Sequence, residues 1–332
     1  MTLYVETQRA DAAFNFAFEE YCMRSLAKGR KVLSIWQADH CVMLGRYQIA
    51  QKEINETLRR ELNPQVVRRA TGGGTIYTDM ETLLYTVIMP IRDYGEMDFT
   101  RICAPFVRAL NEIGVDATLG GRNDILIDGR KVSGNAQAVK RGCLCAHGSL
   151  LYNTDLDVLS GILQTDESKI KSKAISSMKS GVTRIADHIQ SPPPVGIFWK
   201  RFRDAVLKQE TEEVCEYCLT KTDIAEIEKI KTDKYDSWEW TYGSAPAFNL
   251  ENEMRFPMGK LTVRMNIENG VIRECTLHGD FLGVTELSPL EALLSDCKYD
   301  PSALNERIGD TDLNPYLRGI TKSQLLTCMF SG

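Results

Sequence analysis

The chain has no run of about 18 apolar residues, the length a membrane-crossing helix needs, so no span is expected. It also lacks a basic start followed by an apolar stretch. MTLYVETQRADAAF reads as no export signal, and a cytoplasmic protein is expected. Basic runs are missing beyond the scattered Lys169, Lys171, Lys173 and Lys179. With a net charge of −5, the chain is not expected to bind nucleic acid. Its ten cysteines, from Cys22 to Cys328, have no small-domain framework spacing and read as free thiols. Cys215 and Cys218 form a Cys-x-x-Cys without a second pair or nearby histidines, so no zinc site is expected there. They read as thiols on a surface helix.

What is present is enough apolar material for a sizeable core. At 332 residues and 43% hydrophobic content, the chain suits one large domain or two unequal ones. Residues 11–27 carry Phe14, Ala17, Phe18, Tyr21 and Leu26 at helical spacing, with Asp11 at the start. Residues 32–36 and 42–44 read as strands. A helix over 53–62 stops at Asn63-Pro64. A strand at 66–69 runs into a glycine cluster, and the apolar run 83–89 suits a buried strand. A helix over 99–113 closes at Gly114. The run 125–127, Asp128-Gly129, 130–132 predicts a two-residue hairpin, because Asp-Gly accepts the left-handed backbone of that turn. A strand over 144–151 follows.

Further on, the polar stretch 166–182 reads as a loop. Residues 191–194 form a proline connector before a helix at 196–208. SWEWTYGSAPAFN mixes aromatics with Gly243, Ser244 and Pro246, unlike its flanks, and marks a boundary. Beyond it come paired strands at 259–267 and 270–277, then helices at 289–297 and 301–308. The division expected is a large domain at 1–245 and a small one at 246–332.

Three clusters could carry chemistry. In Arg68-Arg69-Ala70-Thr71-Gly72-Gly73-Gly74-Thr75, three glycines after a strand allow close approach of a ligand to the backbone. Their N–H groups could hold phosphate oxygens, with a neighbouring arginine adding a forked contact. No Gly-Lys-Ser/Thr follows, so this is not a Walker loop. On the glycines alone, a sharp turn with a structural arginine explains the cluster equally well. In the second cluster, Asn123 and Asp124 precede the hairpin and Lys131 follows it. A lysine held there could stabilise developing negative charge, and Asp124 could hold magnesium. Spacing alone fits a solvated hairpin better. The third is His147-Gly148; a lone strand histidine is more often a core residue than a catalyst. Cys143 and Cys145 alternate along the same strand, so both share a face, and either could serve as a nucleophile.

Together these segments resemble the lipoate–protein ligase family of the biotin/lipoate ligase group. FNFAFEE, VMLGRYQ, RRATGGGTIYTD, GRNDILIDGRKVSGNAQ and HGSLLYN occur in family order. SWEWTYGSAPAF is similar to the family's join between its catalytic and accessory domains. The resemblance implies an α+β fold: a mixed sheet flanked by helices, of the class II synthetase-like type, plus a small α/β accessory domain. It implies ATP, Mg2+ and (R)-lipoate, with formation of lipoyl-AMP. The lipoyl group would then pass to a lysine of lipoyl-domain proteins, the E2 subunits of 2-oxoacid dehydrogenases and the glycine-cleavage H protein.

The resemblance makes Lys131 the catalytic lysine. Arg69, Thr71, Gly72, Gly73 and Gly74 would border the lipoyl and phosphate groups. Gly74, Thr75, Ile76 and Tyr77 would contact the nucleotide. Asn123 and Asp124 would approach the phosphates, Asp124 through the metal, and His147 would line the same cleft. Leu44 and Val132 are expected among the apolar walls for the acyl chain. The sequence departs from the family pattern at Thr78, at Ala146-His147 where a histidine pair is usual, and at Gly181. Two other readings remain: a lipoyl or octanoyl transferase using Cys143 or Cys145, and a non-catalytic lipoate-binding protein.

Overall fold

The computed structural model describes residues 1–48, 50–91, 98–121, 123–163, 181–242, 248–268 and 270–330. Its strands are β1 (Thr2–Tyr4), β2 (Lys31–Trp36), β3 (Cys41–Leu44), β4 (Gln65–Arg68), β5 (Ile76–Thr78), β6 (Thr82–Pro90), β7 (Ala117–Gly120), β8 (Asp124–Ile127), β9 (Arg130–Lys140), β10 (Cys143–Leu151), β11 (Val214–Glu216), β12 (Leu250–Phe256), β13 (Gly259–Glu268), β14 (Val271–Gly279) and β15 (Cys297–Lys298). Eight of them form one mixed sheet in the order β11-β1-β2-β6-β10-β9-β8-β7. A three-stranded sheet, β4-β3-β5, stands beside it. The last four strands make a separate antiparallel sheet, β12-β13-β14-β15.

Helix α1 (Ala12–Tyr21) begins at Asp11, whose carboxylate accepts from the N–H groups of Ala13 and Phe14. Its sequence suggests one buried face, yet every residue of it is buried. The inner face packs on the large sheet. The outer face is covered by the helix Lys221–Ile230 and the turn at 231–235. Tyr21 donates to Asp223, and Lys234 reaches Glu20 at 2.7 Å. Burial resists the Glu20 charge, but Lys234 and Arg24 outweigh it and hold its carboxyl down at about 2. The opposite face of the sheet is covered by Phe99–Glu112 and Val195–Lys208. There Phe106 stacks on Tyr85 and Phe198 stacks on Tyr152.

Several expectations shift. The first late helix, expected over 289–297, ends at Leu294, and Cys297 instead pairs with Ile272 as strand β15. Cys215 lies in strand β11 and Cys218 in the irregular segment after it, so neither sits on a surface helix. The loop read at 166–182 falls outside the described residues up to 180, as do 243–247 of the boundary segment and Asn269.

The boundary segment is nonetheless anchored where it is described. Trp240 Nε1 donates to Arg68 O at 2.7 Å. Arg68 is buried and donates to five carbonyls: those of Gly45, Arg46, Gln48, Trp240 and Thr241. Burial pulls its guanidinium down to about 10, still charged at neutral pH. Arg68→Ala strands those buried acceptors. Equilibrium denaturation should show a loss of roughly 2–4 kcal/mol; a loss below about 1 kcal/mol would mean water replaces the guanidinium freely.

Candidate active site

Strand pairing sets the cavity floor. His147 of β10 lies opposite Ala136 of β9 and Thr86 of β6, so all three share the face beneath α1. A cavity of about 140 Å³ opens there. Its apolar wall comes from Phe16 of α1, Trp36 of β2, Met43 of β3, Ile76 of β5 and Leu84 of β6. Its polar side comes from Arg69, Gly73, Gly74, Thr75, Asn123 and Lys131, with His147 and Ser149 below.

The expected wall residues Leu44 and Val132 do not line it. Met43 and Leu44 face opposite ways on β3, and Leu44 packs with Val42, Tyr77 and Ile162 instead. Val132 is the extra residue of a bulge, because Ile125 pairs with Ser133 while Leu126 pairs with Lys131. Its side chain is buried on the far face of the sheet.

The hairpin forms as its sequence predicts. Ile127 pairs with Arg130, and Asp128 and Gly129 take φ of 50° and 73°. Lys131 then stands at the cavity with Nζ 2.8 Å from Asp124 Oδ1. Its backbone is held from the other side, where Thr183 N–H donates to Lys131 O at 2.9 Å and Val182 bridges to it. Gly134 makes room for the side chain: a Cβ there would lie 3.0 Å from Lys131 Nζ. Asp124 itself is half-buried and lines a neighbouring cleft with Phe99 and Cys103 rather than the main cavity. The Asn123 amide is spent on Asn135 O, and Asn135 returns a bond to Asn123 O at 2.9 Å.

In the glycine turn, Gly73 takes the left-handed backbone, φ 89°. Gly72 allows close approach, since a Cβ there would lie 2.7 Å from Phe281 O. Gly74 faces open space. Arg69 is fully buried and shapes this turn. It donates to Met43 O at 2.9 Å, Gly72 O at 2.9 Å, Gly74 O at 2.6 Å and Thr71 Oγ1 at 3.2 Å. Burial pulls its guanidinium down to about 10. Thr71 does not line the cavity but bonds His147 Nε2 at 2.7 Å. Tyr77 turns away, its hydroxyl on His40 at 2.8 Å.

Gln48 is a residue that motif reading missed. Its Oε1 accepts from Gly45 N–H at 2.9 Å and Thr75 Oγ1 at 2.8 Å, tying two turns together. Its signal lies in VMLGRYQ, where a glycine ending a strand precedes a glutamine by three residues. Phe16 and Trp36 carried no such signal, since buried aromatics on α1 and β2 read as core.

The C-terminal unit touches the same turn. Gly73 N–H donates to Phe281 O at 3.2 Å, and Val139 N–H donates to Val284 O at 2.9 Å. Tyr47 stacks on Phe281 and donates to Thr285 O at 2.6 Å. Cys143 and Cys145 lie in the core under α1, all ten cysteines are free, and burial raises both thiols.

Comparison with known proteins agrees with this arrangement. The "Lipoyl protein ligase A/B catalytic domain" profile matches residues 11–209, and "Bacterial lipoate protein ligase C-terminus" matches 245–329. The chain is 33% identical to the lipoate-protein ligase LplJ of Bacillus subtilis, over 99% of its own length and 100% of the relative's. It is 34% identical to lipoate–protein ligase 1 of Staphylococcus aureus, over 96% and 97%. The chain belongs to the lipoate–protein ligase family.

Among solved structures, Plasmodium falciparum LipL1 in complex with lipoate superposes with a TM-score of 0.78 at 19% identity, covering 94% of this chain and 95% of that one. A lipoate-protein ligase A bound with ATP gives 0.62 at 24%, covering 73% and 98%. These share the fold, a mixed sheet flanked by helices, the first over nearly the whole of this chain and the second over about three-quarters of it. The expected α+β class holds, and so does the ligase reading over the transferase.

The Lys131 geometry gives a test. Gly134→Ala should displace the lysine from Asp124 and cut ligase turnover about 10- to 100-fold, with thermal unfolding nearly unchanged. Native turnover in that variant would show that the lysine tolerates displacement.

Proposed function

We propose that this enzyme binds (R)-lipoate in the cavity, its hydrocarbon against Phe16, Trp36, Met43 and Leu84 and its carboxylate toward Lys131. ATP lies across the turn at 73–76. A carboxylate oxygen attacks the α-phosphorus, the bond to the bridging oxygen breaks, and pyrophosphate leaves. A lysine amine of a lipoyl domain then attacks the acyl carbonyl and AMP leaves. The single observation that carries this is that Lys131 and the glycine turn line one apolar-walled cavity.

Two anions must meet for adenylation, and a positioned ammonium plus backbone N–H groups offset their repulsion. Lys131 therefore contacts the carboxylate and the α-phosphate. Asp124 offers one half-buried carboxylate, and magnesium favours one or two carboxylates with phosphate oxygens and water. There the ion would neutralise phosphate charge. Thr75 and Ile76 contact the nucleotide. Arg69, Thr71, Gly72 and His147 support the turn from beneath, while Asn123 holds β8 against β9. Tyr77 serves through its strand, its own side chain being directed elsewhere.

The acyl pocket gains about 0.8 kcal/mol per buried methylene and gives the dithiolane little to hydrogen-bond, so octanoate should be accepted as well. Residues 1–245 form the catalytic lipoate/ATP-binding domain and 246–332 the accessory one. Phosphate at the turn would compete with Phe281 O for Gly73 N–H, so the accessory domain shifts when nucleotide binds. The acceptors are E2 lipoyl domains and the glycine-cleavage H protein. The location is cytoplasmic; among the described residues no helix is long and apolar enough to cross a membrane.

With ATP, magnesium and lipoate, the native chain should release pyrophosphate. Lys131→Ala should reduce release at least about 100-fold. Cys143→Ser and Cys145→Ala should remain close to native. Acyl transfer without ATP that disappears in either cysteine variant would sink the ligase reading.

A further inference from the structure

Glu19 is a buried carboxylate that does not itself line the cavity, yet it ends two chains of hydrogen bonds that reach it. On one side Trp36 Nε1 donates to Thr86 Oγ1 at 3.0 Å, and Thr86 Oγ1 donates to Glu19 Oε1 at 2.6 Å. On the other, His147 Nδ1 lies 3.0 Å from Glu19 Oε1, and His147 Nε2 lies 2.7 Å from Thr71 Oγ1. Thr71 Oγ1 in turn accepts from Arg69 Nε at 3.2 Å.

The chemistry fixes the direction of the second chain. A guanidinium can only donate and a carboxylate can only accept. His147 therefore carries its hydrogen on Nδ1 and donates it to Glu19, and Nε2 accepts from the Thr71 hydroxyl. Thr71 oxygen keeps a lone pair for Arg69 Nε–H. The Cys145 thiol lies beside this carboxylate, which adds to burial in raising it. The Glu19, Cys145 and His147 donor atoms lie within 4.8 Å of one another, close enough for a metal site. Their hydrogen-bonding groups are already matched to each other, which makes the cluster a hub of hydrogen bonds.

We propose that Glu19 is a positioning residue for adenylation. Through His147 and Thr71 it orients Arg69, which holds the carbonyls of Gly72 and Gly74, and through Thr86 it fixes Trp36 at the acyl wall. The glycine turn and the acyl pocket are thus set against each other by one carboxylate some way below both. The role rests on the ligase reading of the cavity.

Glu19→Gln tests it. An amide oxygen in the place of Oε1 can still accept from Thr86 and His147, but without the charge that holds the ring's hydrogen on Nδ1, so the tautomer with hydrogen on Nε2 should appear. The 15N spectrum of His147 should show that change of tautomer, a reading independent of activity. Lipoate-dependent pyrophosphate release should fall roughly tenfold in kcat, as supporting residues of a reacting centre typically cost. The lipoate KM and the melting temperature should stay near native, because the amide oxygen still accepts from Thr86 and leaves Trp36 in place.

Thr71→Val interrupts the same chain from the other end. It should lose a similar factor alone and add little to Glu19→Gln. An unchanged tautomer, an unchanged kcat, losses that multiply in the double variant, or a stoichiometric metal ion in the purified chain that Glu19→Gln removes would each overturn the proposal. A native chain that releases no pyrophosphate would instead remove the ligase reading, and the tautomer measurement would still stand.

Discussion

Two adjacent buried guanidiniums hold the turn on which the cavity depends. A buried charge is costly unless its hydrogen-bonding capacity is used. Arg68 and Arg69 use theirs almost wholly on main-chain carbonyls. Arg68 secures the turn after β3 to the Trp240 segment, and Arg69 secures the glycine turn to β3. A lysine could not replace either, because a single ammonium cannot span carbonyls set in a fork. The glycines supply a shape, and the arginines make that shape the one populated.

That division of labour explains what the pair Arg-Arg beside Gly-Gly-Gly can and cannot reveal. The pattern marks a specialised turn, and the turn is there. It also suggests an arginine reaching for phosphate, whereas Arg69 faces inward onto Gly72 O and Gly74 O. Lys131, more than fifty residues further on and paired with Asp124, brings its ammonium to the cavity instead. Its placement owes more to backbone than to side-chain contacts. The Asp128-Gly129 turn starts the strand, the bulge at Val132 re-aims it, and Gly134 leaves space for the ammonium.

Local rules carried most of the legible structure. The Asp11 cap, the Asn63 stop and the Asp128-Gly129 hairpin follow from three or four neighbouring residues each. The misses share a different origin. A one-residue bulge changes which residues face the cavity, which is why Val132 fell on the wrong side. The helix Lys221–Ile230 is polar along most of its length, so its role as the cover of α1 shows only when the two are packed together. Short strands such as β1 and the edge strand β11 carry too few residues for alternation to register. Phe16 and Trp36 read as core because they are core; the cavity is a gap left in that core.

The same burial that hides these residues also separates the chemistry of this chain from a cysteine-based transfer. A thiol attacks as thiolate, and burial among apolar groups disfavours that charge. Cys143 and Cys145 sit under α1, with the Glu19 carboxylate adding to the penalty at Cys145. An acyl adenylate needs no enzyme nucleophile. It needs a dry wall for hydrocarbon, a fixed cation and a turn whose N–H groups face the phosphates. On the same face of the strand that carries Cys145, the next residue is His147, whose ring bonds Thr71 beside the glycine turn.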